Sequence, residues 1–148
     1  MTFPSAKDIN VHDSLDERHA CKIFLGKSIE EAEALFRENA LAYHEDLMWM
    51  GPAAFRFYVA AAIRYIRTET ASGDPDAVNS FAGLLEFRLG HEPAELVPVA
   101  AELGSICEFI IKRYESFDLT PEIYGDVRAR FRRLQQAFLQ MVSSERAA

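Results

Sequence analysis

The sequence predicts an all-α fold, a compact single-domain bundle of about five helices with a loosely held N-terminal arm. Three observations predict it. Apolar residues recur at intervals of three and four over most of the chain, the spacing that puts them on one face of a helix. Prolines head four of these segments, where a missing N–H costs nothing, and the connectors are short enough to pack sequential helices antiparallel. Finally, no segment between turn signals alternates apolar and polar residues as a half-buried strand does, and "CKIFL" at 21–25 is the one short candidate.

The elements follow in order. Residues 1–27 are polar and without period at their start and read as the arm; residues 28–148 read as the helical domain. The first helix starts at Ser28-Ile29-Glu30-Glu31, an S-x-x-E capping box in which the Ser28 hydroxyl and the Glu31 carboxylate each satisfy the other residue's backbone N–H. Its apolar stripe runs through Ile29, Ala32, Phe36, Ala40, Tyr43 and Leu47 to an end near Trp49 or Gly51, and its other face carries Glu30, Glu33, Arg37, Leu41 and His44.

The second helix opens at Pro52 and is apolar on most sides, as suits a central helix, with a narrow polar stripe of Arg56, Ala60, Arg64 and Arg67. Ser72 and Gly73 should end it. A third, over about 75–89, turns Val78, Phe81, Ala82, Leu85 and Leu89 to one side and stops at Gly90. The fourth starts at Pro98 and runs through Leu103, Ile106 and Ile110 to Phe117. The last is expected from Pro121 to about Ser143, through Ile123, Val127, Phe131, Leu134, Phe138 and Met141.

Composition sets bounds on function. A chain of 148 residues with 49% apolar and 26% charged residues has the size and balance of one folded domain. The longest strongly apolar run, Phe57 to Ile63, falls far short of the ~20 residues that cross a bilayer. The first 22 residues mix acids and bases and lack the apolar core of a secretory signal. Cys21 and Cys107 stand apart with no metal-ligand spacing around them, so a reduced, cytoplasmic protein is expected. Net charge is −7, and residues 1–50 carry 10 acids against 5 bases. Such a balance disfavours nucleic acid, which needs concentrated positive charge, and favours a basic protein partner.

Motifs with chemical meaning are few. Gly26-Lys27-Ser28 spells the end of a phosphate-binding loop, but Cys21 stands where the first glycine of that loop belongs. Glu30, Glu31 and Glu33 would moreover repel a phosphate while suiting the positive end of the helix dipole. No paired Glu-x-x-His motifs and no His-Glu-x-x-His occur, so neither metal nor cofactor is expected. His44, Glu45 and Asp46 are adjacent, point about 100° apart, and read as a solvated helix end. Cys107 reads as a buried inert thiol; Cys21 near His19 lacks a third group to orient a pair. In "RARFRR" at 128–133 an Asp126–Arg130 pairing is expected. Buried arginines of the second helix would need carboxylates, which Glu45 or Asp46 could supply; without them, Arg56, Tyr58 and Arg64 with the His44 region would mark a site for an anionic ligand.

The segment Ala54-Phe55-Arg56-Phe57-Tyr58, within "DLMWMGPAAFRFYVAAAIRYI" at 46–66, resembles an element of small uncharacterised bacterial helical domains. There an apolar turn precedes a segment of the type GFRFYLPA and a long helix; here Val59-Ala60-Ala61 replaces Leu-Pro-Ala. The upstream "FLGKSIEEAEALF" looks like the leader helix of such domains. The resemblance implies an all-α domain of unknown function and carries no catalytic residues.

The first expectation for function is therefore a non-enzymatic, acidic protein-interaction module, in the manner of an immunity or effector-binding protein, with Glu30, Glu33, Leu41, His44 and Glu45 as its face. An anionic-ligand site or enzyme built on Arg56, Tyr58 and Arg64 is the alternative, and a self-associating structural protein is a third reading.

Overall fold

The computed structural model describes residues 2–147. Among them every regular element is helical, with eight α-helices and three 3-10 stretches and no strand, so the chain is all-α. No described helix is long and apolar enough to cross a membrane. The contacts divide the chain into two compact units between Thr70 and Ala71, whereas the sequence marked its boundary after residue 27.

In the first unit the expected arm is helical. Helix α1 spans Ala6–Ile9 and α2 spans Leu15–Phe24, so "CKIF" is the last turn of α2 and no strand. Both helices start with reciprocal capping boxes, Ser5 with Asp8 and Ser14 with Glu17. Glu17 does more than cap: its carboxylate accepts from the backbone N–H of Val11, His12 and Ser14 and from the Ser14 hydroxyl. Burial alone would raise its pKa, yet the bonds from Ser14, Val11 and His12 outweigh it and hold the carboxyl below the usual range. Ile9, Ala20 and Phe24 are buried, which anchors the segment that polar composition had suggested was loose.

Helix α3 spans Ile29–Trp49, and its Ser28–Glu31 capping box forms as the sequence predicts, with Ser28 N to Glu31 Oε1 at 2.8 Å and Glu31 N to Ser28 Oγ at 3.1 Å. It is not one straight rod. The backbone leaves helical angles at Asn39, whose Oδ1 accepts from Ala42 N at 3.2 Å, so Asn39 acts as the N-cap of the second half. Helix α4, Pro52–Ile66, follows after Met50 and Gly51. Gly51 N–H donates to the Ile9 carbonyl at 2.9 Å, and a Cβ at Gly51 would run into the Asp8 carbonyl oxygen, so the crossing of α1 and α4 needs glycine.

The core of this unit gathers Phe24, Phe36, Phe55, Tyr58 and Tyr65. Phe24 is the hub, with ring centroids 5.0 Å from Tyr58 and 6.0 Å from Phe36 in tilted packing. Tyr58 hides its polar tip by donating to the carbonyls that end α2, Phe24 O at 2.7 Å and Lys27 O at 2.9 Å. The element Ala54–Tyr58 is apolar because Ala54, Phe55 and Tyr58 face this core.

The second unit contains α5, Pro75–His91, capped by Asp74 through Ala77 N, then a 3-10 stretch at Pro93–Val99 and α6, Ala100–Lys112. The expected final helix is broken in two. Residues Pro121–Tyr124 form the single turn α7, and α8 spans Val127–Ala147 behind Asp126, whose Oδ1 accepts from Ala129 N at 3.0 Å. The break falls at Gly125, with φ 73° and ψ −157°, a conformation essentially reserved for glycine. Ile123, expected to face inward, is consequently 74% exposed. Helix α8 buries Val127, Phe131, Leu134 and Phe138, and α5 and α6 bury Phe81, Leu85, Leu103 and Ile110. Cys107 is buried too, and desolvation pushes its thiol up to about 12, which leaves it inert at neutral pH.

Candidate functional site

Antiparallel packing decides where the acids of α3 go. The short turn between α3 and α4 sets the end of α4 beside the start of α3. Arg64 therefore reaches Glu33 Oε1 at 2.9 Å from Nε and Glu30 Oε1 at 3.2 Å from Nη1. These are carboxylates that the sequence assigned to a contact face, and for Arg64 they take the place of Glu45 and Asp46, which lie toward the opposite end of α3. Glu33 also takes Arg37 Nη2 at 2.7 Å. Nor is the stripe of α4 buried: Arg64 and Arg67 are exposed and Arg56 is half-buried.

His44 was expected on the same open face, and this is corrected. Its ring is 2% exposed, packed 5.4 Å from the Phe36 ring, and burial pushes its pKa down to about 3. A neutral core histidine cannot serve as a surface contact. Tyr58 is likewise buried, with its hydroxyl committed to backbone carbonyls. Of the predicted residues, Leu41 and Glu45 remain on the surface without a structural task shown for them, with Leu41 56% exposed.

Leu41 and Glu45 belong to a face that the structure defines more fully. On the second half of α3, positions 41, 42, 45 and 49 fall at helical spacing, and Leu41, Ala42, Glu45 and Trp49 are all exposed. The antiparallel turn into α3 brings the start of α2 to the same end, where Leu15 is 80% exposed and Asp16 is open to solvent. Glu38 precedes the kink and is also exposed. Leu41, Ala42 and Trp49 thus make an exposed apolar stripe of α3 that carries Glu45.

At its margin lies a pair that sequence reading missed. His19 Nδ1 on α2 meets Asp46 Oδ1 on α3 at 2.7 Å; the histidine side chain is 62% exposed and the aspartate side chain 5%. Asp46 Oδ2 is buried and has no hydrogen-bond partner among the described residues. Burial raises the Asp46 pKa, the His19 bond opposes this, and Glu45 and Asp16 add to the rise. Asp46 belongs to the trio that the sequence placed in solvent. Its position four residues before the buried Met50 is the spacing that signals an inward-facing carboxylate.

In the second unit, Tyr114, Glu115, Leu119, Pro121, Gly125, Asp126, Arg128 and Arg132 line an open depression of about 520 Å³. Arg128 lies 4.6 Å over the Tyr114 ring and pairs with Glu115 at 2.9 Å, so its charge is already met within the unit. Among the described residues no group of three His, Cys, Asp or Glu side chains is placed to hold a metal ion. No protein-family model, characterised protein or solved structure matches this chain.

Proposed function

We propose that this chain is a non-enzymatic protein-interaction module that binds a basic partner segment through the outer face of α2 and α3. The observation that supports this is the exposure of Leu41 and Trp49 on one stripe of α3 with Glu45 between them. Trp49 is the type of aromatic anchor that dominates interface energies, Leu41 adds apolar area on the same stripe, and Glu45, Glu38 and Asp16 favour a partner with lysine or arginine around its own apolar residue. The face is narrower than the sequence suggested, because Glu30 and Glu33 spend their charge on Arg64 within the unit. Immunity- or effector-like binding is the role this chemistry suits best.

The anionic-ligand alternative gains nothing from the geometry. Arg64 is held by two carboxylates and Tyr58 is sealed in the core.

Trp49 is the sole tryptophan of the chain and reports on the proposed face directly. A synthetic amphipathic peptide with lysines flanking leucines should blue-shift or quench its emission. Glu45→Lys should weaken that response about tenfold, and a glutamate version of the peptide should give none. Equal responses to both peptides, or indifference to Glu45→Lys, would sink the proposal.

A further inference from the structure

On the reading of the outer α2–α3 face as a contact surface, and resting on it, we propose that the basic occupant of that face is helix α8 of a second copy of this chain. Helix α8 holds five arginines and one glutamate, a local excess of base in a chain of net charge −7. Two of the five are engaged within the second unit, Arg128 by Glu115 and Arg130 by Glu86. Arg132 and Arg133 are exposed and form no ion pair among the described residues. Gln136, Leu139 and Gln140 are exposed as well, with Leu139 at 54%, so positions 132, 136, 139 and 140 make one outer stripe of α8. Unpaired arginines within two turns of an exposed leucine are the chemistry that complements Leu41, Glu45 and Trp49.

Spacing agrees with charge. Leu41 and Trp49 lie eight residues apart, about 12 Å along α3, while Leu139 and Arg132 lie seven apart, about 10 Å along α8. In an antiparallel pairing Leu139 packs on Leu41, and Arg132 comes down between Glu45 and Trp49, where a guanidinium can bond the carboxylate and lie on the indole. Arg133, on the flank, turns toward Asp16 at the start of α2. Glu38 and Glu45 form no ion pair among the described residues, so neither face breaks an internal bridge to bind. Because the two faces differ, each copy offers one of each and the contact is head-to-tail. Copies at −7 repel at a distance, so the contact is weak and forms at high concentration.

Sedimentation equilibrium of the full chain tests the contact. The wild-type chain should pass from single chains at about 10 µM to pairs or larger species at about 500 µM, the range of a weak contact. Glu45→Lys disables one face and the double variant Arg132→Glu/Arg133→Glu the other; all three positions are exposed, and each variant should weaken association about tenfold or more. An equimolar mixture of the two variants still contains one intact face of each kind. It should regain association and stop at pairs, which neither an α3–α3 nor an α8–α8 contact would do. A wild-type chain that stays single at about 500 µM, a variant that associates like the parent, or a mixture that stays single overturns the contact. The double variant keeps its α2–α3 face, so its Trp49 should still respond to the lysine–leucine peptide. That response beside a non-associating wild-type chain sinks self-association and leaves the contact face standing; loss of both sinks both.

Discussion

The guanidinium of Arg130 on α8 grips Glu86 on α5 through two parallel bonds, Nε to Oε2 at 3.0 Å and Nη2 to Oε1 at 2.6 Å. Its Nη1 donates to Asn79 Oδ1 at 3.0 Å, so one side chain ties two points of α5 to α8. Asp126, the partner expected from helical spacing, caps α8 instead. Arg130→Ala should lower the unfolding free energy by about 1–2 kcal/mol, because planar bidentate pairs exceed ordinary surface pairs. Salt should erode part of that difference, since the pair is partly open to solvent. Arg130→Lys keeps the charge but cannot form the fork, and should recover less than half of the loss. Urea denaturation at low and high ionic strength measures both; full recovery by lysine would show that the fork is not what matters.

Tyr58 supplies the corresponding link in the first unit. Its hydroxyl lies within 2.7–2.9 Å of two carbonyls where α2 ends, Phe24 O and Lys27 O. Tyr58→Phe keeps the ring in place against Phe24 and removes only the donor. The expected loss is about 1 kcal/mol, with Lys27 O losing a partner and Phe24 O keeping the Lys27 N–H at 3.0 Å. Thermal unfolding should show a lower midpoint with unchanged helical content. No change in midpoint would mean that water replaces the hydroxyl at no cost.

The helices were legible wherever periodicity and a start signal coincided, as at Ser28, Pro52 and Pro75. The N-terminal helices were legible too, since Ser14-x-x-Glu17 repeats the signature of Ser28-x-x-Glu31, but α1 and α2 are too short and too polar for an apolar stripe to stand out. Asn39 escaped for another reason: the stripe of α3 passes through the kink with its spacing intact, and only backbone angles reveal it. The site was less readable than the fold. Exposure of Leu41 and Glu45 follows from helical phase, whereas the burial of His44 and Asp46 depends on α2 covering the end of α3. Which carboxylates Arg64 meets is a matter of antiparallel register, and local sequence does not encode register.

Gly125 offers a test of backbone conformation alone. A Cβ there would meet no atom within 4 Å, so the cost of Gly125→Ala comes from its φ of 73° and ψ of −157° and not from crowding. About 1–3 kcal/mol of destabilisation is expected. By contrast Gly90→Ala, also in open space but inside α5 with no positive φ, should be neutral or stabilising by up to about 1 kcal/mol. Denaturation midpoints of the two variants should thus move in opposite directions. A Gly125→Ala chain as stable as the parent would mean that the turn between α7 and α8 relaxes freely.

His44 gives the clearest pH dependence of the core. Desolvation lowers its pKa from 6.5 to about 3, so the folded chain holds a neutral imidazole while the unfolded chain accepts a proton first. A depressed pKa contributes stability that is complete above the unfolded value and is lost as pH falls toward the folded one. Between pH 6.5 and about 3 this residue should therefore subtract about 1.4 kcal/mol of stability per pH unit. His44→Phe keeps a ring against Phe36 and removes the titration. The difference in unfolding free energy between variant and parent should grow in the variant's favour as pH drops from 6.5 to 4.5, whatever its offset at pH 8. Because the carboxylates are common to both chains, their acid titration cancels in that difference. Parallel pH profiles would mean that protonated His44 finds a partner or solvent without unfolding the first unit.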